Sequence, residues 1–280
     1  MMKKDVRIAA AVCRCPVGKV QRNVERTLYW SREAHKMGAQ WVCFPELNLT
    51  GYSNKKEVID HAISASGPEI GQLAQLSRKL NIVLLVGFAE KGESGNIHAS
   101  HLVITPGGQT AIYRKIHLAP PEIERYTPGD TLPVFNWSGI RFGIQLCYDA
   151  HFPELSTQMA MANADLILVP HASPMGRVID KHQSWMRHLP ARAYDNGLFV
   201  VACNQTGNNG NGLTFPGNSM ILSPSGEIIE VQRSGTSGLL IADLKRDQIN
   251  HVRRHRMRYF FPNRRPSVYA RGVQLNDLET

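Results

Sequence analysis

Three segments in the first half of this chain return, in the same order, in the second. Ala39-Gln-Trp-Val-Cys-Phe-Pro-Glu46 parallels Ala164-Asp-Leu-Ile-Leu-Val-Pro-His171, each a helix end followed by a short apolar strand closed near a Pro. Asn81-Ile-Val-Leu-Leu-Val-Gly87 parallels Asn196-Gly-Leu-Phe-Val-Val-Ala202, and amphipathic helices are predicted just ahead of them, near residues 69–80 and 178–195. Thr105-Pro-Gly-Gly-Gln-Thr-Ala-Ile-Tyr-Arg-Lys115 parallels Ser223-Pro-Ser-Gly-Glu-Ile-Ile-Glu-Val-Gln-Arg233; both read as a hairpin around a Pro-Gly type turn. Each half is then strand, helix, strand, helix, strand, hairpin. Helices cover one face of such a sheet, and the other face must be buried against something else. The simplest solution packs the two sheets on each other. The expected fold is α/β, a four-layer αββα sandwich with an internal pseudo-two-fold duplication, in one domain over residues 1–280 with a basic C-terminal segment from about 245 to 280.

With 280 residues and 42% apolar content, the chain has enough material for such a core. No apolar run approaches the ~18 residues of a membrane span. The start, Met1-Met-Lys-Lys-Asp-Val-Arg-Ile-Ala-Ala-Ala-Val12, resembles a signal peptide in charge, but Arg7 interrupts its short apolar stretch, so it reads as a first strand. Five cysteines are few and odd in number for a secreted scaffold, which points to a reduced, cytoplasmic protein without disulfides. Cys13-Arg-Cys15 lacks zinc-knuckle spacing. The net charge of +9 is concentrated late: Lys245, Arg246, Arg253, Arg254, Arg256, Arg258, Arg264, Arg265 and Arg271 stand against Asp247 alone. With Tyr259, Phe260 and Phe261 this segment could hold RNA. It reads equally well as docked on the body or on a partner subunit, and nucleic acid is not the expected partner.

The duplication separates chemistry from scaffold. Where the first half has Glu46 and Lys115, the second has His171 and Arg233, so an acid–amine pair belongs to one half only. Cys147 opens the second half in Ile140-Arg-Phe-Gly-Ile-Gln-Leu-Cys-Tyr-Asp-Ala-His-Phe-Pro-Glu154, where a buried strand gives way to a helix begun by Pro153. A thiol there would lie near the positive end of a helix dipole, which favours thiolate or an adjacent oxyanion. Glu46 closes an almost wholly apolar strand, where desolvation would raise its pKa toward that of a general base. Strand alternation puts Ala111, Tyr113, Lys115 and His117 on one face and Ile112, Arg114 and Ile116 on the other. A thiol, a carboxylate and an amine at strand ends suit attack on an amide or nitrile carbon. His151, four residues after Cys147, leaves a Cys–His arrangement open as a competing reading. No HExxH, P-loop or GxGxxG context occurs, and the Asn/Gly-rich run 204–217 reads as a mobile loop at a cleft mouth.

Phe-Pro-Glu46, Tyr-Arg-Lys115-Ile-His-Leu and Leu-Cys147-Tyr-Asp-Ala-His-Phe-Pro-Glu resemble the three signature blocks of the nitrilase superfamily, the carbon–nitrogen hydrolases, in order and spacing. Arg192-Ala-Tyr-Asp-Asn196, Phe215-Pro-Gly-Asn-Ser219 and Arg264-Arg-Pro-Ser-Val-Tyr269 extend the resemblance over nearly the whole chain. The resemblance implies Glu46 as general base, Lys115 as oxyanion stabiliser, Cys147 as nucleophile of a thioester acyl-enzyme, and the Tyr148 backbone N–H in the oxyanion hole. It also implies a second glutamate, four residues before the aromatic of Tyr126-Thr-Pro-Gly129, which selects Glu122 over Glu124. It implies no metal or organic cofactor, and a homo-oligomer.

Members resembling true nitrilases have Trp-Glu after the nucleophile; Tyr148-Asp149 here favours an amidase. N-carbamoyl-amino-acid hydrolases carry arginines where this chain has Ala150 and His151. His151 and His171 are the candidate pocket residues. The expected activity is cofactor-free, thiol-dependent hydrolysis of small linear carboxamides to acid and ammonia. The alternatives are an N-carbamoyl amidohydrolase or, in another class, a silent nitrilase-like scaffold or RNA-associated module.

Overall fold

The computed structural model describes residues 2–92 and 95–272, and in it the repeats become two matching six-stranded sheets. The first half runs β1 (Val6–Val12), α1 (Val20–Lys36), β2 (Trp41–Cys43), the single turn α2 (Val58–His61), α3 (Pro68–Leu80), β3 (Val83–Lys91), β4 (Ile97–Ile104) and β5 (Thr110–Arg114). The second runs β6 (Phe135–Trp137), β7 (Ile140–Ile144), α4 (Pro153–Met161), β8 (Leu166–His171), α5 (Val178–Met186), α6 (Leu189–Asn196), β9 (Phe199–Asn204), a two-stranded ribbon of β10 (Thr206–Asn208) and β11 (Thr214–Pro216), then β12 (Ser219–Leu222), β13 (Ile228–Gln232), β14 (Gly238–Leu244), α7 (Arg246–Arg254) and α8 (Pro266–Tyr269). The sheet orders are β14-β1-β2-β3-β4-β5 and β13-β12-β9-β8-β7-β6. Each has a parallel centre, β1-β2-β3 or β7-β8-β9, and an antiparallel hairpin beyond it. An antiparallel strand, β14 or β6, closes the other edge. Strand β14 thus crosses from the second half to complete the first sheet.

The central strands read as continuous apolar runs because both faces are covered. Ile8 and Ala10 of β1, Trp41 of β2 and Leu85 of β3 pack against Phe142 and Ile144 of β7 and Leu168 of β8 between the sheets. Trp41 meets Phe142 edge-on at 4.7 Å. Ala9 and Ala11 face the other way, with Val24, Leu73 and Leu84, under α1 and α3. Met159, Trp185, Leu189 and Ala193 cover the second sheet. The four-layer sandwich expected from the sequence is the fold. Asn81, left-handed at φ 52°, caps α3 and lets the chain turn into β3. No helix among the described residues is long and apolar enough to cross a membrane.

Three expectations need correction. The helix predicted near 178–195 is two, α5 and α6, broken at His188 (φ −135°), because Pro190 brings no N–H to a continuous helix and disfavours helical backbone before it. Strand alternation stops at Arg114: Ile112 packs outward under the helices, whereas Ile116 packs against the inter-sheet core. The run 204–217 is tied down rather than mobile. Its β10–β11 ribbon is anchored by Asn209 Nδ2 donating to the Tyr52 carbonyl at 3.0 Å and by the buried Asn204 and Gln205.

The basic segment, as far as it is described, is docked on the body. Arg253 donates to Asp165 at 2.9 Å and to the Gly197 carbonyl at 2.9 Å, and Tyr259 lies beside Gly197. The part of that segment from 273 to 280 lies outside the described residues.

Candidate active site

Glu46 sits just past β2, where Phe44 N–H still donates to the Leu85 carbonyl before Pro45 ends pairing and Leu47 turns left-handed at φ 54°. Gly87 permits this turn, since a Cβ there would meet Leu47 N and approach the Glu46 carbonyl carbon to 3.1 Å. Lys115 follows β5, its N–H donating to the Ala99 carbonyl at 2.9 Å and its carbonyl accepting from Gly129 at 2.7 Å. Glu122 closes a short 3-10 turn, Pro120–Glu122. All three side chains are buried, and Lys115 Nζ donates to Glu46 Oε1 at 2.8 Å and to Glu122 Oε1 at 3.0 Å. The remaining carboxylate oxygens accept backbone N–H groups: Ala172 on Glu46 Oε2 and Ala119 on Glu122 Oε2, both at 2.8 Å.

Two carboxylates against one ammonium make this a proton-binding set. Burial, with Glu122 adding to it and Lys115 opposing it, pushes Glu46 up to about 7. Burial works against charge on Lys115, but Glu46 and Glu122 outweigh it and hold its pKa well above the ordinary value.

Cys147 lies at a sharp backbone turn with φ 47°, a left-handed conformation strained for a side-chain-bearing residue. It opens a 3-10 turn, Cys147–His151, and α4 begins only at Pro153. The helix end expected beside the thiol is therefore several residues away. Asp149 holds the turn: it accepts the Leu146 N–H (3.0 Å), the Tyr113 hydroxyl (2.7 Å) and the His117 N–H (2.8 Å). These bonds tie the Cys147 turn to the chain on either side of Lys115, across the two sheets. Cys147 as a residue is partly exposed, yet burial of its thiol first and Glu46 second push the pKa up to about 12, against the attraction of Lys115. It rests as a thiol rather than the thiolate that a helix dipole would favour.

The other sequence candidates divide. Glu124 is exposed and pairs with Arg125 at 3.2 Å, away from the Lys115 cluster. Tyr148 is half-buried, its ring near His151 and Phe152. His171 is buried with its ring 4.6 Å from Trp185. His151 is exposed, its ring 4.4 Å from His188; the Cys–His alternative finds no hydrogen bond between His151 and Cys147 among the described residues. Sequence reasoning missed Ala172, whose N–H reaches Glu46 only because β8 lies across the sheet interface. It missed Tyr52, whose hydroxyl is held far above its ordinary pKa by burial and by Glu122 and Glu46. It also missed Lys181, whose charge acts on the thiol. None of the three sits in a motif. A cavity of about 630 Å³ between Tyr194, Ser223, His251 and Arg258 shares no lining residue with this site.

The carbon-nitrogen hydrolase family model matches residues 8–254. The chain belongs to the carbon-nitrogen hydrolase family. This carbon–nitrogen hydrolase is 33% identical over 214 residues to an (R)-stereoselective amidase from Pseudomonas sp, covering 75% of each chain. It is 29% identical over 266 residues to an N-carbamoylputrescine amidase from Oryza sativa subsp. japonica, covering 88% of each. Its fold matches the amidase from Nesterenkonia sp. AN1. A mutant of that amidase in complex with butyramide gives a TM-score of 0.81 at 26% identity, over 96% of this chain and 98% of the other. Another mutant, showing covalent addition of the acetamide moiety of fluoroacetamide at the active site cysteine, gives 0.82 at 25% identity, over 98% and 99%.

Proposed function

We propose that this carbon–nitrogen hydrolase cleaves small linear carboxamides to acid and ammonia through a thioester on Cys147. The observation that carries the reading is the buried Lys115 ammonium, shared by Glu46 and Glu122 and acting on the thiol of the partly exposed Cys147. Glu46 takes the thiol proton as the sulfur attacks the amide carbon, so the thiolate forms only in the attack. The carbonyl oxygen becomes an oxyanion, stabilised by Lys115 and the Tyr148 backbone N–H. Glu46 then passes its proton to the nitrogen, ammonia leaves, and a thioester remains. Water deprotonated by Glu46 attacks the thioester and releases the acid and the free thiol. Glu122 positions Lys115, and Ala172 N–H positions Glu46.

The protein acts as one domain and as a homo-oligomer, a reading supported by the exposed Met257 and the exposed aromatic pair Tyr194 and Phe260. Five free cysteines and a thiol nucleophile suit the reducing cytoplasm. The test is ammonia release from a panel of small amides, ureido acids and nitriles, comparing wild type with Cys147→Ala. Release from amides, reduced by at least about a thousandfold in a folded Cys147→Ala protein, is expected. Retained turnover sinks the nucleophile assignment, and release from ureido acids alone makes the protein an N-carbamoyl hydrolase.

A further inference from the structure

Beside Cys147 lies a group of basic side chains that the bond-cleaving steps do not use. Lys181, in α5, is half-buried and donates from Nζ to Ser173 Oγ. Among the described residues no carboxylate pairs with it. Burial lowers its pKa, the Cys147 sulfur opposes that shift, and Lys181 in turn favours thiolate on Cys147, so the two groups face each other electrostatically.

Lys181 and Trp185, four residues apart, share one side of α5, and His188 follows at the break after it. His171 from β8 packs its ring on Trp185 in that row. His171 is 2% exposed and neither ring nitrogen has a hydrogen-bond partner; His188 is 8% exposed and its Nε2 has none. Burial holds both imidazoles neutral, and the charges that add to the effect on His171 are His188, Lys181, His151 and Lys115. The charges acting on His188 are His151 and Arg192, both basic, and its other ring nitrogen bonds the Ser184 backbone. Ser173, the partner of the ammonium, is itself fixed: Asn204 holds both its N–H and its carbonyl at 3.0 Å, and its neighbour Ala172 donates to Glu46.

A half-buried ammonium without a counter-charge, next to a buried His171 imidazole whose N–H has no acceptor, is costly in an empty site and favourable when an anion accepts from both. We propose that Lys181, with the His171 N–H, forms a subsite for a carboxylate on the substrate, so that the preferred substrates are carboxamides that also bear a carboxylate. The inference deepens the amidase reading and rests on Cys147 being the nucleophile. His151, exposed beside His188, is the rim of this subsite.

The test uses the full chain carrying Cys147→Ala, so that binding is read without turnover. Isothermal titration with succinamate and with butanamide should give at least about tenfold tighter binding of succinamate, and adding Lys181→Met should erase that preference. Equal affinities, or a preference that survives Lys181→Met, overturn the subsite. His171→Phe, which keeps an aromatic ring and removes the N–H, repeats the comparison should Lys181→Met not fold. In the active protein, Lys181→Met should lower the ratio of kcat/KM for succinamate over butanamide by about tenfold or more. An equal loss on both amides assigns Lys181 to the thiol and overturns the proposal. Ammonia from neither amide, with the binding preference intact, sinks the amidase reading and leaves the subsite standing.

Discussion

Glu46 and Cys147 both hold their protons more tightly than the same groups do in water, and the two shifts have different consequences. For Glu46, ordinarily near 4.5, burial moves the half-ionised point to about 7. A general base works only when ionised, so lowering the pH through 7 removes the active form. We expect kcat/KM to fall about tenfold per pH unit below about pH 7 and to level off above about pH 8. An acid limb centred near 4.5 would mean that Glu46 is not the base. For Cys147, the shift up to about 12 keeps the sulfur as a thiol at neutral pH. Glu46→Gln removes the proposed proton acceptor, and should slow turnover by about a hundredfold or more and abolish the acid limb.

The elements supply accuracy that no single residue has. Glu46 projects from the turn after β2, and Gly87 of β3 lies directly under that turn. A methyl group on Gly87 would meet the Leu47 nitrogen and come within 3.0 Å of the Pro45 carbonyl oxygen, neither of which can rotate away. Gly87→Ala should cost about 1–3 kcal/mol of stability and lower kcat by displacing Glu46. Urea unfolding and ammonia release read the two effects, and a variant matching wild type in both would show that the turn has slack. Strand β5 and the Cys147 turn are joined through Asp149, whose three N–H and O–H donors come from Leu146, Tyr113 and His117. The carboxylate therefore sets the distance between the amine and the thiol.

At the scale of the whole molecule, the two repeats are not independent. Strand β14 pairs with β1, and α7 then returns to the second sheet, where Arg253 meets Asp165 with both side chains buried. Asp165 also accepts the Met2 and Arg141 N–H groups at 3.1 Å each, so it collects the N-terminus, the second sheet and the basic segment. Removing one partner of a buried pair leaves the other charge uncompensated. Arg253→Met should destabilise the protein by about 3–5 kcal/mol, read as a lower urea midpoint, and adding Asp165→Asn should recover part of the loss. A single variant with an unchanged midpoint would mean that α7 is docked by its apolar contacts alone.

The repeat pattern, apolar strand runs and signature blocks determined the sandwich and brought Glu46, Lys115, Glu122 and Cys147 forward, because they depend on spacing along the chain. Glu122 stood apart from Glu124 in sequence only by its offset from Tyr126; the structure separates them by burial. What the sequence left open depends on groups distant in the chain. The N–H of Ala172 and the ammonium of Lys181 reach the site from β8 and α5 because the sheets stack face to face, and no local pattern encodes a contact across 126 residues. The protonation of Glu46 and Cys147 was likewise decided only by tertiary structure. Desolvation acts through the atoms packed around a group, and those atoms come from both halves of the chain.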